Sequence, residues 1–129
     1  MKRYKKVLIG LGILFGIMMI ALFSTLMQQK SQIDNIQYTN INMVEIKDGK
    51  YEGIYDTKLI KVKVVVEVKE HAIQDITIIN HDNGLGEKAE QIVTTMKDKN
   101  KYDVDTVSGA TMSSLVIKKA VNQALEKGM

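Results

Sequence analysis

Four small residues, Ser108-Gly109-Ala110-Thr111, stand at the head of a helical pattern, with Asp105 three positions before Ser108. Gly109 permits backbone angles that a residue with a Cβ resists. Together with Ala110 it leaves room for a bulky group to approach the backbone. A helix start presents unpaired N–H groups and the positive end of the helix dipole, a combination that favours a phosphate. Thr111 puts a hydroxyl at that point, so the stretch has the means to bind a phosphate or to form an ester with one. The same residues also fit a plainer role as an ordinary Ser/Thr-capped helix start.

Other reactive residues are sparse. His71 and His81 are the only two histidines. Histidine exchanges protons near neutral pH, but no partner is identifiable along the chain. His81 reads as a surface-loop residue, and His71, beside Glu70, as a solvated turn residue. Asp103 and Asp105 would be spaced for a carboxylate pair or a metal, yet read as solvated loop acids. Gly84 and Gly86 mark a strand-to-helix turn. With no cysteine in the chain, disulfides, thiolate metal sites, c-type haem attachment and a lipoprotein anchor are excluded.

The elements that position these residues are legible from periodicity. Ile60, Val62, Val64, Val66 and Val68 alternate with Lys61, Lys63, Glu67 and Lys69, which predicts a strand over 59–69 with one buried face. Shorter strands are expected over 50–55 and 73–80, with Glu70-His71 as the turn between the last two. Short connections favour an antiparallel meander. Ala89, Ile92, Val93 and Met96 recur at helical spacing, and so do Val116, Ile117, Ala120, Val121, Ala124 and Leu125 within a helix expected over about 113–126. Residues 104–107 suit a brief further strand. The expectation is an α+β fold: an antiparallel sheet of three to five strands packed against two main helices, plus one N-terminal transmembrane helix.

That N-terminal helix is read from residues 7–27, which contain no charge and are long enough to cross a bilayer core as a helix. Lys2, Arg3, Lys5 and Lys6 precede the span, and Lys30 follows it. The positive-inside bias puts the N-terminus in the cytoplasm and the remainder outside. A cleaved signal peptide is the rival reading, but small-residue cleavage positions around Ala21 to Thr25 are interrupted by Leu22 and Phe23. The reading is therefore a single-pass anchor in the cell membrane. Residues 1–27 are assigned to the basic tip and anchor, 28–47 to a flexible polar linker, and 48–129 to the folded domain. The net charge of +3 is concentrated at the anchor: five of 18 basic residues and none of the 15 acidic ones lie in the first 30 positions. The rest is net acidic, which argues against a nucleic-acid partner.

The stretch Asp105 to Thr111 resembles the flavin-attachment motif Asp-x-x-Ser/Thr-Gly-Ala-Thr of the FMN-binding domain family. The resemblance extends over residues 48 to about 125: Asp48-Gly49-Lys50-Tyr51-Glu52-Gly53 is similar to the family's opening Asp-Gly-x-Tyr-x-Gly, and Gly84-Leu85-Gly86 occupies the place of its Gly-x-Gly loop. Larger respiratory relatives carry Thr-Pro before that loop, where this chain has Asp82-Asn83, and their flavin subunits are longer. The chain looks more like the small, membrane-tethered members. The resemblance implies FMN linked through its phosphate to Thr111. It implies that Ser108, Gly109 and Ala110 shape the attachment turn and contact the phosphate, and that Gly84 and Gly86 lie against the flavin. Asp105 would serve a Mg-dependent flavin transferase that uses FAD as donor. The implied function is an extracytoplasmic electron carrier rather than a complete enzyme, taking electrons from a membrane donor such as a quinol or a flavoprotein and passing them to an extracytoplasmic redox partner. The alternatives are a flavin component of one dedicated extracytoplasmic reductase, or a flavin-free tethered binding module.

Overall fold

The alternating valines fold as their period requires. In a computed structural model of the chain, which describes residues 1–82 and 87–129 (the side chains of 29, 30, 32, 33 and 82 excepted), three strands form one antiparallel sheet. They are β1 (Gly49–Asp56), β2 (Lys61–Lys69) and β3 (Ala72–Asp82), in the order β1-β2-β3. On central β2, Val62, Val64, Val66 and Val68 are buried, and the lysines and Glu67 turn away from the core. Glu70 and His71 both have positive φ, 54° and 62°, as the tight turn of a two-residue hairpin demands.

Three α-helices complete the fold: α1 (Lys2–Asp34), α2 (Ile92–Lys99) and α3 (Thr111–Glu126). A single 3-10 turn, Ala89–Gln91, leads into α2. Helix α2 ends on Asn100 in the left-handed region, φ 52°. The Asn100 side chain accepts from the Ile73 N–H at 2.8 Å and donates to the His71 carbonyl at 3.0 Å, tying the helix end to the β2–β3 hairpin. Residues 104–107 form no strand. They run as a loop, because β3 and β1 are the two edges of the sheet and neither takes a fourth strand.

The core lies between the sheet and α3. Val116, Ile117, Ala120, Val121, Ala124 and Leu125 are buried there. The approach is unusually close at Gly53: a Cβ on that residue would stand 1.8 Å from the Ala120 carbonyl oxygen, so only glycine fits. Gly128, just past the helix, is similarly pressed against Ile46 and Tyr51.

The chain forms two compact units, Met1–Asp34 and Asn35–Met129. The first is α1 alone. It is long and apolar enough to cross a membrane, and its most apolar window is wholly exposed. The helix does not stop at Met27 as expected. It continues to Asp34 because the following polar residues include good helix formers and neither Gly nor Pro interrupts them. The tether expected over 28–47 is accordingly replaced at both ends, since residues 35–47 lie in the second unit. There the Thr39 N–H donates to Asn122 Oδ1 at 3.0 Å and Asn122 Nδ2 donates to the Thr39 carbonyl at 2.8 Å, while Asn122 is fully buried. Ile46 is fully buried too, and Ile41 and Met43 pack against the core. Hydrogen-bonded pairing of a buried amide is what makes its burial tolerable.

Tyr38, in the same arm, stacks on Tyr102 with ring centroids 5.7 Å apart, and Lys118 Nζ lies 5.6 Å from its ring. Burial first, then the neighbouring Tyr102, Asp103 and Tyr55, push the Tyr38 hydroxyl up to about 12. An unfolded tyrosine ionises near pH 10. Between these values the folded state holds a proton that the unfolded state has lost, so the contribution to stability is complete below about pH 10 and is lost as pH rises through the folded value. Tyr38→Phe is therefore expected to remove the latest step of the phenolate absorbance titration and to soften the alkaline loss of stability. An unchanged titration would contradict the burial of this hydroxyl.

Candidate functional site

The direction of α3 decides which end of the domain carries the small-residue motif. Gly53 meets Ala120 and Ala124, and Gly128 meets Tyr51 and Ile46. Residue numbers rise along α3 as they fall along β1, so the two run antiparallel. The N-terminus of α3 thus points toward the end of the sheet where β1 stops at Asp56, β2 begins at Lys61 and β3 ends at Asp82.

Val107 to Ala110 is a type II turn. The Ala110 N–H donates to the Val107 carbonyl at 3.0 Å, and Gly109, third in the turn, has φ of +80°. That value is required at this position of a type II turn and is strained for any residue with a side chain. Ser114 clips the turn to the helix: its hydroxyl donates to the Ala110 carbonyl at 2.7 Å and accepts from the Val107 N–H at 3.0 Å. The first residue of α3 is Thr111, and no side chain caps the helix. The helix expected from about Ser113 begins two residues earlier, at Thr111. Among the described residues, the N–H groups at the head of α3 remain open to an external acceptor.

Exposure sorts the hydroxyls. Thr111, Ser108 and Gly109 are exposed and Ala110 is half-buried, whereas Ser113 and Ser114 are 7% and 0% exposed. Asp105 is exposed in the loop before the turn. Asp103 is drawn away from it, its carboxylate 3.0 Å from Lys118 Nζ. The structure therefore brings Ser108, Gly109, Ala110 and Thr111 together as one turn. Gly84 and Gly86 lie outside the described residues.

Two residues not singled out from the sequence join this end. Lys88 Nζ lies 3.5 Å from where a Cβ on Gly109 would be, so an ammonium stands beside the open helix start. Glu90 Oε1 is 3.3 Å from His81 Nδ1. Contrary to the surface-loop reading, His81 belongs to β3 and its side chain is 4% exposed. Its other ring nitrogen, Nε2, is buried with no partner among the described residues. No linear signal marks these pairings, since Lys88 is 21 residues from Gly109 along the chain. A cleft of about 310 Å³ lies at the opposite end of the sheet, between Asp48–Lys50 and Glu67–Lys69, and contains none of these residues.

The turn, the uncapped helix start and the adjacent ammonium form a candidate site whose chemistry suits a phosphate. A family model, that of the FMN-binding domain, matches residues 57–126, more than half of the chain, and the chain belongs to that family. The match takes in β2, β3, α2, the turn and α3. No curated protein matches the chain. The residues present fit FMN on two counts. The glycine turn beside Lys88 suits its phosphate, and His81 Nε2, buried with no partner among the described residues, lies at the same end of the domain.

Ser114→Ala leaves the Val107 N–H without its acceptor and unclips the turn. The expected cost is about 1–3 kcal/mol, measured by urea unfolding of the chain in detergent micelles. An unfolding midpoint equal to that of the parent would show that the turn stands without Ser114.

Proposed function

We propose that the protein is a membrane-anchored, extracytoplasmic electron carrier with FMN held covalently on Thr111. The observation that carries this reading is the exposed Thr111 hydroxyl at an uncapped helix start, behind a glycine turn and beside Lys88. When bound, FMN supplies one- and two-electron chemistry, so it can link a two-electron donor to one-electron acceptors.

The protein's own residues hold and orient it. Thr111 would hold FMN as an ester between its hydroxyl and the FMN phosphate, with FAD as the transferase's donor and AMP and the hydroxyl proton released. Gly109 would leave no side chain in the way of the phosphate. The N–H groups at the head of α3 and the Lys88 ammonium balance its charge. Asp105 serves the Mg-dependent flavin transferase by recognition rather than by bonding to the flavin. Burial of Ser113 and Ser114 favours attachment at Thr111 over these two neighbours.

Helix α1 is read as a retained single-pass anchor with its basic tip in the cytoplasm. The flavin domain then meets a quinol or a flavoprotein at the membrane as donor and an extracytoplasmic redox protein as acceptor. A flavin component of a dedicated reductase shares every one of these features and differs only in its acceptor.

Co-expression with a flavin transferase is expected to add one FMN, read by intact mass and peptide mass spectrometry. Thr111→Val nearly conserves shape, so it should fold and stay unlabelled, whereas Lys88→Met and Asp105→Ala should slow labelling. FMN on Ser108, Ser113 or Ser114, or full labelling of Thr111→Val, would assign the wrong residue. A protein that stays colourless beside a functioning transferase would favour the flavin-free binding module.

Topology has its own test. Protease added to intact cells is expected to release the domain, and N-terminal sequencing of the membrane-bound protein should begin at or near Met1. Protection of the domain, or a mature start past Met27, would reverse the assignment.

A further inference from the structure

His81 faces inward because β3 is bulged. Val64 pairs with Ile78 and Lys63 with Asn80, so Ile79 is an extra residue in the strand, and His81 comes opposite Val62. Strict alternation from Ile76 and Ile78 would have put Asn80 on the core face and His81 in solvent. The bulge reverses them: Asn80 is exposed and the His81 side chain is 4% exposed. Bulges recur where a side chain is re-aimed beside a functional site.

The re-aimed ring is only half satisfied. Nδ1 lies 3.3 Å from Glu90 Oε1, and Nε2 has no partner among the described residues. A carboxylate only accepts, so Nδ1 carries the hydrogen, and in the neutral ring Nε2 is left as an acceptor. A buried acceptor without a donor carries a desolvation penalty. The ring is also tied to the motif. Glu90 belongs to the 3-10 turn Ala89–Gln91, which packs against α3, and Lys88, which caps that turn, reaches Gly109. One short stretch of chain thus holds His81 on one side and the phosphate turn on the other.

We propose that His81 Nε2 accepts a hydrogen bond from an N–H or O–H donor of the bound FMN, and that Glu90 is the positioning residue that fixes the imidazole for it. The inference rests on FMN binding by this domain but not on the covalent bond. The flavin ring offers an N–H and its ribityl chain offers hydroxyls, so the donor has the right chemistry. His81 then helps set the environment of the redox centre, in addition to the anchorage at Thr111.

The test uses the full chain in detergent micelles with ¹⁵N-labelled histidine. Only two imidazoles contribute, and His71→Gln assigns them. Spectra of the ¹⁵N-labelled protein are recorded without flavin, after loading by the transferase, and with free FMN titrated into protein that carries no flavin. The expected result is a shift of the His81 Nε2 resonance with FMN in either form, with His71 unmoved. In the loaded protein His81→Leu should change the flavin reduction potential and absorption envelope, and His81→Gln, which keeps an amide acceptor, should restore them in part. Glu90→Gln should broaden or split the His81 resonances as the ring loses its fixed orientation. An Nε2 resonance unmoved by FMN in both forms, as a bound water there would give, overturns the proposal. So does a His81→Leu variant that is folded by circular dichroism and has the parental potential. Intact mass reports covalent attachment independently, so loss of the ester and loss of the His81 contact are told apart.

Discussion

The contact of α3 with the sheet at Gly53 governs the rest of the domain. Where β1 passes beneath Ala120 and Ala124, the absence of a side chain lets the helix backbone nearly touch the strand. That approach brings the helix's Val116, Ile117, Val121 and Leu125 into the same buried layer as the four valines of β2. Each buried aliphatic side chain contributes on the order of 1.5–3 kcal/mol relative to exposure, an upper estimate because the unfolded chain is already partly collapsed. The consequence for function is geometric. A helix pinned at its C-terminal half has a fixed direction, so its N-terminus, Thr111, projects at the far end of the sheet. Any side chain at Gly53 would lift the helix and displace the motif with it.

What periodicity could reveal, it revealed. The β2 strand, the Glu70-His71 turn and the apolar stripes of α2 and α3 are all local patterns, and the structure contains each of them. The α+β architecture was legible for the same reason, and membership in the FMN-binding domain family from the resemblance of Asp105 to Thr111 to that family's motif. Two features were not. The arm from Asn35 to Lys47 looked like a polar tether because its stabilising partner, Asn122, is 83 residues away from Thr39 and is itself polar. Composition cannot distinguish a polar segment that is solvated from one whose amides are paired in the core. The orientation of His81 was hidden by a different cause. A bulge changes the face of every residue beyond it, and nothing in the run Ile76 to Asp82 announces that Ile79 is the extra residue.

The candidate site divides along the same line. One half, Asp105 to Thr111, is contiguous in sequence and readable as a motif. Its other half, Lys88, Glu90 and His81, exists only because β3, the 3-10 turn and α3 converge. The two halves also differ in electrostatics. Lys88 and the α3 dipole present positive charge at the turn, which suits a phosphate. Glu90 stands on the His81 side, where its carboxylate orients an imidazole rather than meeting an anion. A cofactor with a phosphate at one end and a neutral, hydrogen-bonding ring at the other matches that polarity better than an ion or a uniformly anionic ligand would.

The openness of the turn is a physical argument for the covalent bond proposed at Thr111. Non-covalent sites for cofactors of this size usually enclose most of the ligand in a deep pocket. Here Ser108, Gly109 and Thr111 are exposed, and the cleft at the other end of the sheet contains none of them. A site that holds its ligand mainly by a phosphate and one or two ring contacts would release it to dilute surroundings. The proposed ester at Thr111 removes that constraint, because affinity no longer has to come from enclosure. The ring can then remain accessible to redox partners, and an accessible ring is what an electron carrier requires. A small domain with one close-packed helix can meet that demand, since the proposed bond would supply retention and leave the fold only to aim the ring.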